Sequence, residues 1–164
     1  MRKKVSIVTP VFNEEENLCE FYTRLTKVMS ELAYDYDIIF VDDGSRDASA
    51  TILYDLSQKD EHVQAFLLSR NFGHQMALTC GLDHAEGDAV ITMDGDLQHP
   101  PELLPELLSL WEDGYEIVQT VRKDTADASC FKKMTSSAYY KLINKMSKVH
   151  ITPGGSDFRL MDRA

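Results

Sequence analysis

Two aspartates flank a glycine in Asp94-Gly95-Asp96, directly after the apolar run Ala89–Met93. Carboxylates presented at a strand end can share one hard divalent cation with phosphate oxygens, and Gln98 can add a third oxygen. The same spacing occurs in Asp35-Tyr36-Asp37. That copy is read as a solvated turn. Acids are adjacent again in Asp42-Asp43-Gly44-Ser45. Asp, Gly and Ser favour turns and caps, but two acids at a buried strand end are costly without partners. Turn chemistry is one reading; the other has Asp43 accepting hydrogen bonds from a nucleotide base or ribose. Glu14 is either a first-turn helix acid favoured by the dipole or a ligand contact. Arg70 and Arg122 are either surface cations or phosphate readers, a task that suits the guanidinium fork. Arg122, Lys123, Lys132 and Lys133 could form a basic cradle, although Lys132-Lys133 also fits a solvated helix face. Asp157, after a Pro-Gly-Gly turn, is either turn chemistry or a group beside an acceptor. His74 and His99 are read as rim residues.

These residues need a scaffold that gathers them, and the chain alternates apolar runs with amphipathic stretches. Strands are expected at Val5–Val11, Ile38–Val41, Val63–Ser69, Ala89–Met93, Tyr115–Val121 and Phe158–Met161. Helices are expected between them. The first carries Leu18, Phe21, Tyr22, Leu25, Val28, Met29 and Leu32 at helical spacing, with Asn13 as N-cap and Glu16 completing a capping box. Others cover 48–58, 75–85 (closed by Gly87), Pro100-Pro101 to about Glu112, and 129–147. Strand–helix alternation of this kind means an α/β fold with a mostly parallel sheet. In such sheets ligands bind outside the carboxyl ends of the strands. Asn13-Glu14-Glu15, Asp42-Asp43-Gly44-Ser45, Arg70-Asn71-Phe72-Gly73, the run Asp94 to Gln98 and Arg122-Lys123 each follow a strand, and their convergence on one rim weighs more than any single motif.

The sequence has 164 residues, which suits one domain. A net charge of −10 argues against a nucleic-acid partner, but a cation can still bridge carboxylates to a polyphosphate. The three cysteines, Cys19, Cys80 and Cys130, form no CxxC pair. They suit reduced thiols in the core of a cytoplasmic protein. No signal peptide and no window of 18 or more apolar residues is found. The abrupt end at Ala164 suggests a fragment of a longer protein. GxSxG, P-loop and GxGxxG signatures are absent.

Val5-Ser6-Ile7-Val8-Thr9-Pro10-Val11-Phe12-Asn13-Glu14-Glu15, Val41-Asp42-Asp43-Gly44-Ser45, Arg70-Asn71-Phe72-Gly73, the run Met93 to Glu102 and the run Gly155 to Met161 resemble family-2 glycosyltransferases. The resemblance is nearest to the enzymes that load sugar onto dolichyl or polyprenyl phosphate. It implies a GT-A fold, Rossmann-like, with a mostly parallel sheet and helices on both faces. It also implies a nucleotide-diphosphate-sugar donor, UDP- or GDP-linked, and Mg²⁺ or Mn²⁺ as cofactor. Pro10, Phe12, Glu14, Val41 and Asp43 would then hold the nucleoside, and Asp94, Asp96 and Gln98 the cation. Arg122 would meet the phosphates, and Lys132 or Lys133 the acceptor phosphate. Asp157 would position the acceptor, or act as base if the acceptor is a hydroxyl. Cys130 stands where relatives often carry tryptophan. A polyprenyl-phosphate acceptor implies work at the inner face of the cell membrane, through segments beyond this chain. The alternatives are a polysaccharide or other hydroxyl acceptor, a non-catalytic nucleotide-sugar-binding module, and a nucleotidyltransferase. Homo-oligomerisation stays open.

Overall fold

The computed structural model describes residues 2–121 and 155–163. Arg122, Lys123, Cys130, Lys132, Lys133 and the helix expected over 129–147 lie outside the described residues. The chain divides into two compact units, residues 1–118 with 157–164, and residues 119–156. The first holds the core.

The sheet is built from β1 (Lys4–Val11), β2 (Asp35–Asp42), β3 (Val63–Leu67), β4 (Ala89–Thr92), β5 (Ile117–Val121) and β6 (Gly155–Asp162), in the order β3-β2-β1-β4-β6-β5. β1 is parallel to both β2 and β4, and β2 to β3. β6 runs antiparallel to β4, with Thr92 opposite Arg159. Helices α1 (Leu18–Ser30), α2 (Ser49–Lys59), α3 (His74–His84) and α4 (Leu104–Glu112) connect the strands. A single 3-10 turn, Pro101–Leu103, leads into α4. The sheet is thus mostly parallel, as the strand–helix alternation implied, and has helices on both faces, as the family resemblance implied.

Alternation within the strands decides which face each helix covers. Ile7, Ile38, Phe40 and Ile91 join one cluster with Leu18, Phe21, Leu25 and Met29 of α1, Leu53 of α2 and Trp111 of α4. The intervening residues Val8, Ile39, Val41 and Val90 point to the other side and pack on Ala77 and Leu78 of α3. Gly81 lets α3 lie tight there, because a Cβ on it would sit 2.3 Å from Val8 Cγ1.

The structure departs from the sequence pattern in places. The capping box at Asn13 and Glu16 does not form. Asn13 has a positive φ of 56°, whereas an N-cap sits in the extended region. Its N–H donates to Ser45 Oγ (2.9 Å) and its Oδ1 accepts from the Arg46 N–H (2.8 Å), so it joins two loops instead. The helix starts later, at Leu18, with the Asn17 and Leu18 N–H groups donating to the Glu14 carbonyl. Asp35-Tyr36-Asp37 is not a solvated turn but the beginning of β2. Asp37 is buried and pairs with Lys4 Nζ at 2.8 Å. α3 ends at His84, and Gly87, expected to close it, instead donates its N–H to the buried Ser6 hydroxyl. β3 stops at Leu67 rather than Ser69. Cys80 is partly buried against the smaller cluster, but Cys19 faces solvent rather than the core.

Candidate functional site

β1 lies between β2 and β4, and the chain leaves it toward β2 and returns later to its other side. The strand order therefore reverses at β1, and this type of crevice takes ligands in open α/β sheets. A pocket of ≈ 270 Å³ opens there, lined by Pro10, Val11, Phe12, Glu14, Asp43, Asn71, Gly73, His74, Asp94, Gly95 and Asp96. It gathers six of the residues singled out in the sequence: Pro10, Phe12, Glu14, Asp43, Asp94 and Asp96.

The loops that carry them are stitched together. The Glu14 N–H donates to Ser49 Oγ (2.9 Å) and the Glu15 N–H to Asp47 Oδ2 (3.1 Å). Glu15 Oε2 in turn accepts from the Ala48 N–H (2.7 Å). Asp42 is buried and accepts from the Ser45 N–H at 3.1 Å. Asp47 is held below the usual carboxylate range: burial alone would raise it, but hydrogen bonds from Ser49 and the Glu15 N–H outweigh burial. Glu14 Oε2 accepts from Asn17 Nδ2 at 2.7 Å. Gly44 turns at φ +69°, and a Cβ there would meet the Arg70 carbonyl carbon at 2.4 Å. Only glycine lets the loop after β2 press this closely on residues 70–71.

Asp43 joins the same loops. It is 2% exposed, its Oδ1 accepts from the Phe72 N–H (2.7 Å) and its Oδ2 from the Gly73 N–H (2.9 Å). Both carboxylate oxygens thus hold the 70–73 loop at the pocket wall. This is a third reading of Asp43 that neither turn chemistry nor ligand contact foresaw. A carboxylate oxygen has more than one lone-pair direction, so the arrangement still leaves capacity for a ligand donor.

The two acids after β4 are also oriented by protein donors. Asp96 Oδ1 accepts from the Gln98 N–H at 3.0 Å. Asp94 Oδ1 lies 2.9 Å from His74 Nε2, and Asp94 Oδ2 lies 3.9 Å from His99 Nε2. His99 is buried and packs against Phe158, so it is not a rim residue; His74 lines the pocket itself. Leu97, between the two motif carboxylates and Gln98, has a positive φ of 60°. That conformation is uncommon for a residue with a branched side chain.

Other expected site residues lie elsewhere. Val41 is fully buried in the smaller apolar cluster and does not line the pocket. Arg70 stacks on Phe72, with its guanidinium carbon 4.3 Å from the ring centroid, and does not line the pocket. The Gln98 side chain is exposed and also outside the lining. Asp157 lies on β6, where its carbonyl accepts from the Thr92 hydroxyl and its Oδ1 pairs with Arg159 at 2.6 Å. Arg122, Lys132 and Lys133 are outside the described residues. Asn71 and Gly73, in a motif expected at the rim, and His74, read as a rim residue, line the pocket, although the sequence assigned none of them a ligand contact. Their signal was the Arg70-Asn71-Phe72-Gly73 motif and the histidine after it, of which Asn71, Gly73 and His74 reach the pocket and Arg70 does not.

Among the described residues no group of three His, Cys, Asp or Glu side chains is arranged to hold a metal. The donor set at Asp94 and Asp96 nevertheless fits a hard cation of the Mg²⁺ kind. Such an ion keeps several waters and is held by one or two carboxylates plus substrate phosphates, not by an all-protein cage.

The sequence model of the family described as Glycosyl transferase family 2 matches residues 6–164. An uncharacterized glycosyltransferase of Bacillus subtilis, YkcC, is 46% identical over 96% of this chain and 49% of its own length. The bactoprenol glucosyl transferase of Shigella phage SfV is 42% identical over 98% of this chain and 52% of its own length. The chain therefore spans about half the length of these relatives. Among solved structures, the mannosyltransferase PcManGT of Pyrobaculum calidifontis, in complex with GDP-Man and Mn²⁺, superposes with a TM-score of 0.63. It covers 99% of this chain and 45% of that one at 17% identity, a likeness of fold.

Proposed function

The chain belongs to glycosyl transferase family 2, and from that premise we propose that it moves a sugar from a nucleoside-diphosphate sugar to a polyprenyl phosphate, with inversion and with the help of Mg²⁺ or Mn²⁺. The observation that carries the proposal is the convergence of Glu14, Asp43, Asp94 and Asp96 on one crevice at the strand-order reversal. Pro10 and Phe12 give that crevice an apolar wall beside its acids, which suits a nucleoside. The acceptor is proposed from the bactoprenol in the name of the phage relative. UDP and GDP stay open as the donor nucleotide.

A divalent cation held by Asp94 and Asp96 would neutralise charge on the donor diphosphate as it leaves. The reaction is one in-line displacement. An oxygen of the acceptor phosphate forms a bond to the anomeric carbon, the bond from that carbon to the diphosphate breaks, and its electron pair stays on the departing oxygen. A phosphate acceptor is ionised at neutral pH, so no base has to remove a proton. Asp157, tied to Arg159 at 2.6 Å, then serves to position the acceptor. Arg122 is proposed to face the diphosphate and Lys132 or Lys133 the acceptor phosphate. No helix among the described residues is long and apolar enough to cross a membrane. Work at the cytoplasmic face of a membrane, with parts beyond these 164 residues, belongs to the same proposal.

Thermal stability against UDP-, GDP- and dTDP-sugars, with Mn²⁺ or with EDTA, tests this reading. A ligand at about 100 times its dissociation constant adds roughly 2.7 kcal/mol. One nucleotide should stabilise the protein only with metal, and Asp96→Ala should abolish the gain. Indifference of the protein to every nucleotide and metal combination would sink the proposal.

A further inference from the structure

Asp94 and Asp96 reach the pocket by different routes. Asp96 Oδ1 is held from within its own loop, by the Gln98 N–H two residues on. Asp94 Oδ1 is held from across the site, by His74 Nε2 at 2.9 Å, on a residue 20 positions earlier in the chain. His74 is the first residue of α3, and the preceding Gly73 is itself fixed by Asp43. A carboxylate only accepts hydrogen bonds, so His74 Nε2 carries the proton and donates. On the other side of the ring the Gln75 amide lies 3.5 Å from Nδ1.

We infer that His74 is the positioning residue of the cation site: its Nε2–H fixes the Asp94 carboxylate through Oδ1 and so aims Oδ2 at the cation that Asp94 and Asp96 share. This rests on the proposed cation site and goes beyond it by giving that site a partner outside the Asp94–Asp96 loop. Each carboxylate has one oxygen engaged by a protein donor, which removes rotational freedom before the ligand arrives. Hydrogen bonds to metal-ligating carboxylates act in this way, and their loss typically costs 10–100-fold in metal affinity or activity. The Asp43–Gly73–His74–Asp94 chain of contacts also links the nucleoside side of the pocket to the cation side.

The test compares His74→Leu, which keeps bulk without a donor, with His74→Gln, which keeps an N–H donor at similar reach. Mn²⁺ is titrated into each protein saturated with UDP or GDP, and the free Mn²⁺ signal is followed by electron paramagnetic resonance. Nucleotide affinity is also measured in EDTA. The expected result is a Mn²⁺ affinity lowered about 10–100-fold in His74→Leu and largely restored in His74→Gln, a loss that exceeds any change His74→Leu makes to nucleotide affinity in EDTA. Equal losses in both variants, or none in either, would overturn the inference while leaving the cation site standing. A wild-type protein that binds no Mn²⁺ with either nucleotide would overturn both.

Discussion

The two faces of the sheet are built on different scales. On the face covered by α1, α2 and α4, the cluster contains Phe21, Phe40, Phe158, Trp111 and a series of leucines. On the α3 face the buried cluster is Val8, Ile39, Val41, Ala77, Leu78, Ala85 and Val90, with no buried aromatic residue among those described. Burial of large side chains dominates folding free energy, so most of the stability comes from the first face. The second supplies Gly73 and His74 to the pocket through the start of α3. The difference teaches a division of labour. One face holds most of the buried bulk, and the other brings Gly73 and His74 to the pocket.

The largest effect should come from breaking the first face. Phe40 is fully buried and meets Phe21 edge-on, with ring centroids 6.2 Å apart. Phe40→Ala should cost about 3–5 kcal/mol, read from denaturant unfolding, while the folded protein keeps its nucleotide affinity. Gly81→Ala attacks the second face. Its new methyl would sit 2.3 Å from Val8 Cγ1, so α3 must move away from the sheet. The expected cost is smaller, about 1–3 kcal/mol, but nucleotide and metal affinity should fall with it, because Gly73 and His74 shift with the helix. If Gly81→Ala lowers stability and leaves binding untouched, the division between the faces is wrong.

The same division explains what could be read from the sequence. Apolar periodicity exposed the strands and the α1 stripe, because Leu18, Phe21, Leu25 and Met29 are the residues that α1 buries. The positions of Asp43, Asp94 and Asp96 after strands were enough to expect them at one pocket, since parallel strands must end on the same rim. The partners of these acids were not readable. The bonds from Asp43 to the Phe72 and Gly73 N–H groups depend on how tightly Gly44 lets two loops approach. The pairing of His74 with Asp94 depends on where α3 begins relative to the end of β4. Neither distance has a local sequence signature. Asn13 misled for a related reason: a residue suited to capping a helix also suits a left-handed turn, and here tertiary hydrogen bonds to residues 45 and 46 decided between them. Asp37 misled because the short Asp-x-Asp pattern looks the same in a turn and at the start of a strand that buries it against Lys4.

The smallest effect belongs to the rim of the first face, where Asp60 accepts from the His62 N–H (2.9 Å) and from Tyr22 Oη (2.7 Å). None of these groups lines the site pocket. Burial tends to raise the Asp60 carboxyl, but the bonds from His62 and Tyr22 outweigh it and hold it below the ordinary range. Tyr22 is pushed up to about 12, by burial first and then by its bond to Asp60. The folded protein therefore releases the Asp60 proton more readily than the unfolded chain does. The stability this group contributes is complete above the unfolded value of about 3.9 and is lost as pH falls through the lower folded value. Asp60→Asn should cost about 1 kcal/mol at neutral pH and flatten the acid limb of stability against pH. Tyr22→Phe acts on the alkaline side. The wild-type protein should lose stability as pH rises from about 10 toward about 12, and the variant should lose only the part of that slope due to Tyr22, keeping the part due to Tyr34, which burial and Glu112 also push up to about 12, while its nucleotide affinity stays unchanged. A fall in nucleotide affinity in either variant would mean that the two faces are coupled more tightly than their packing implies.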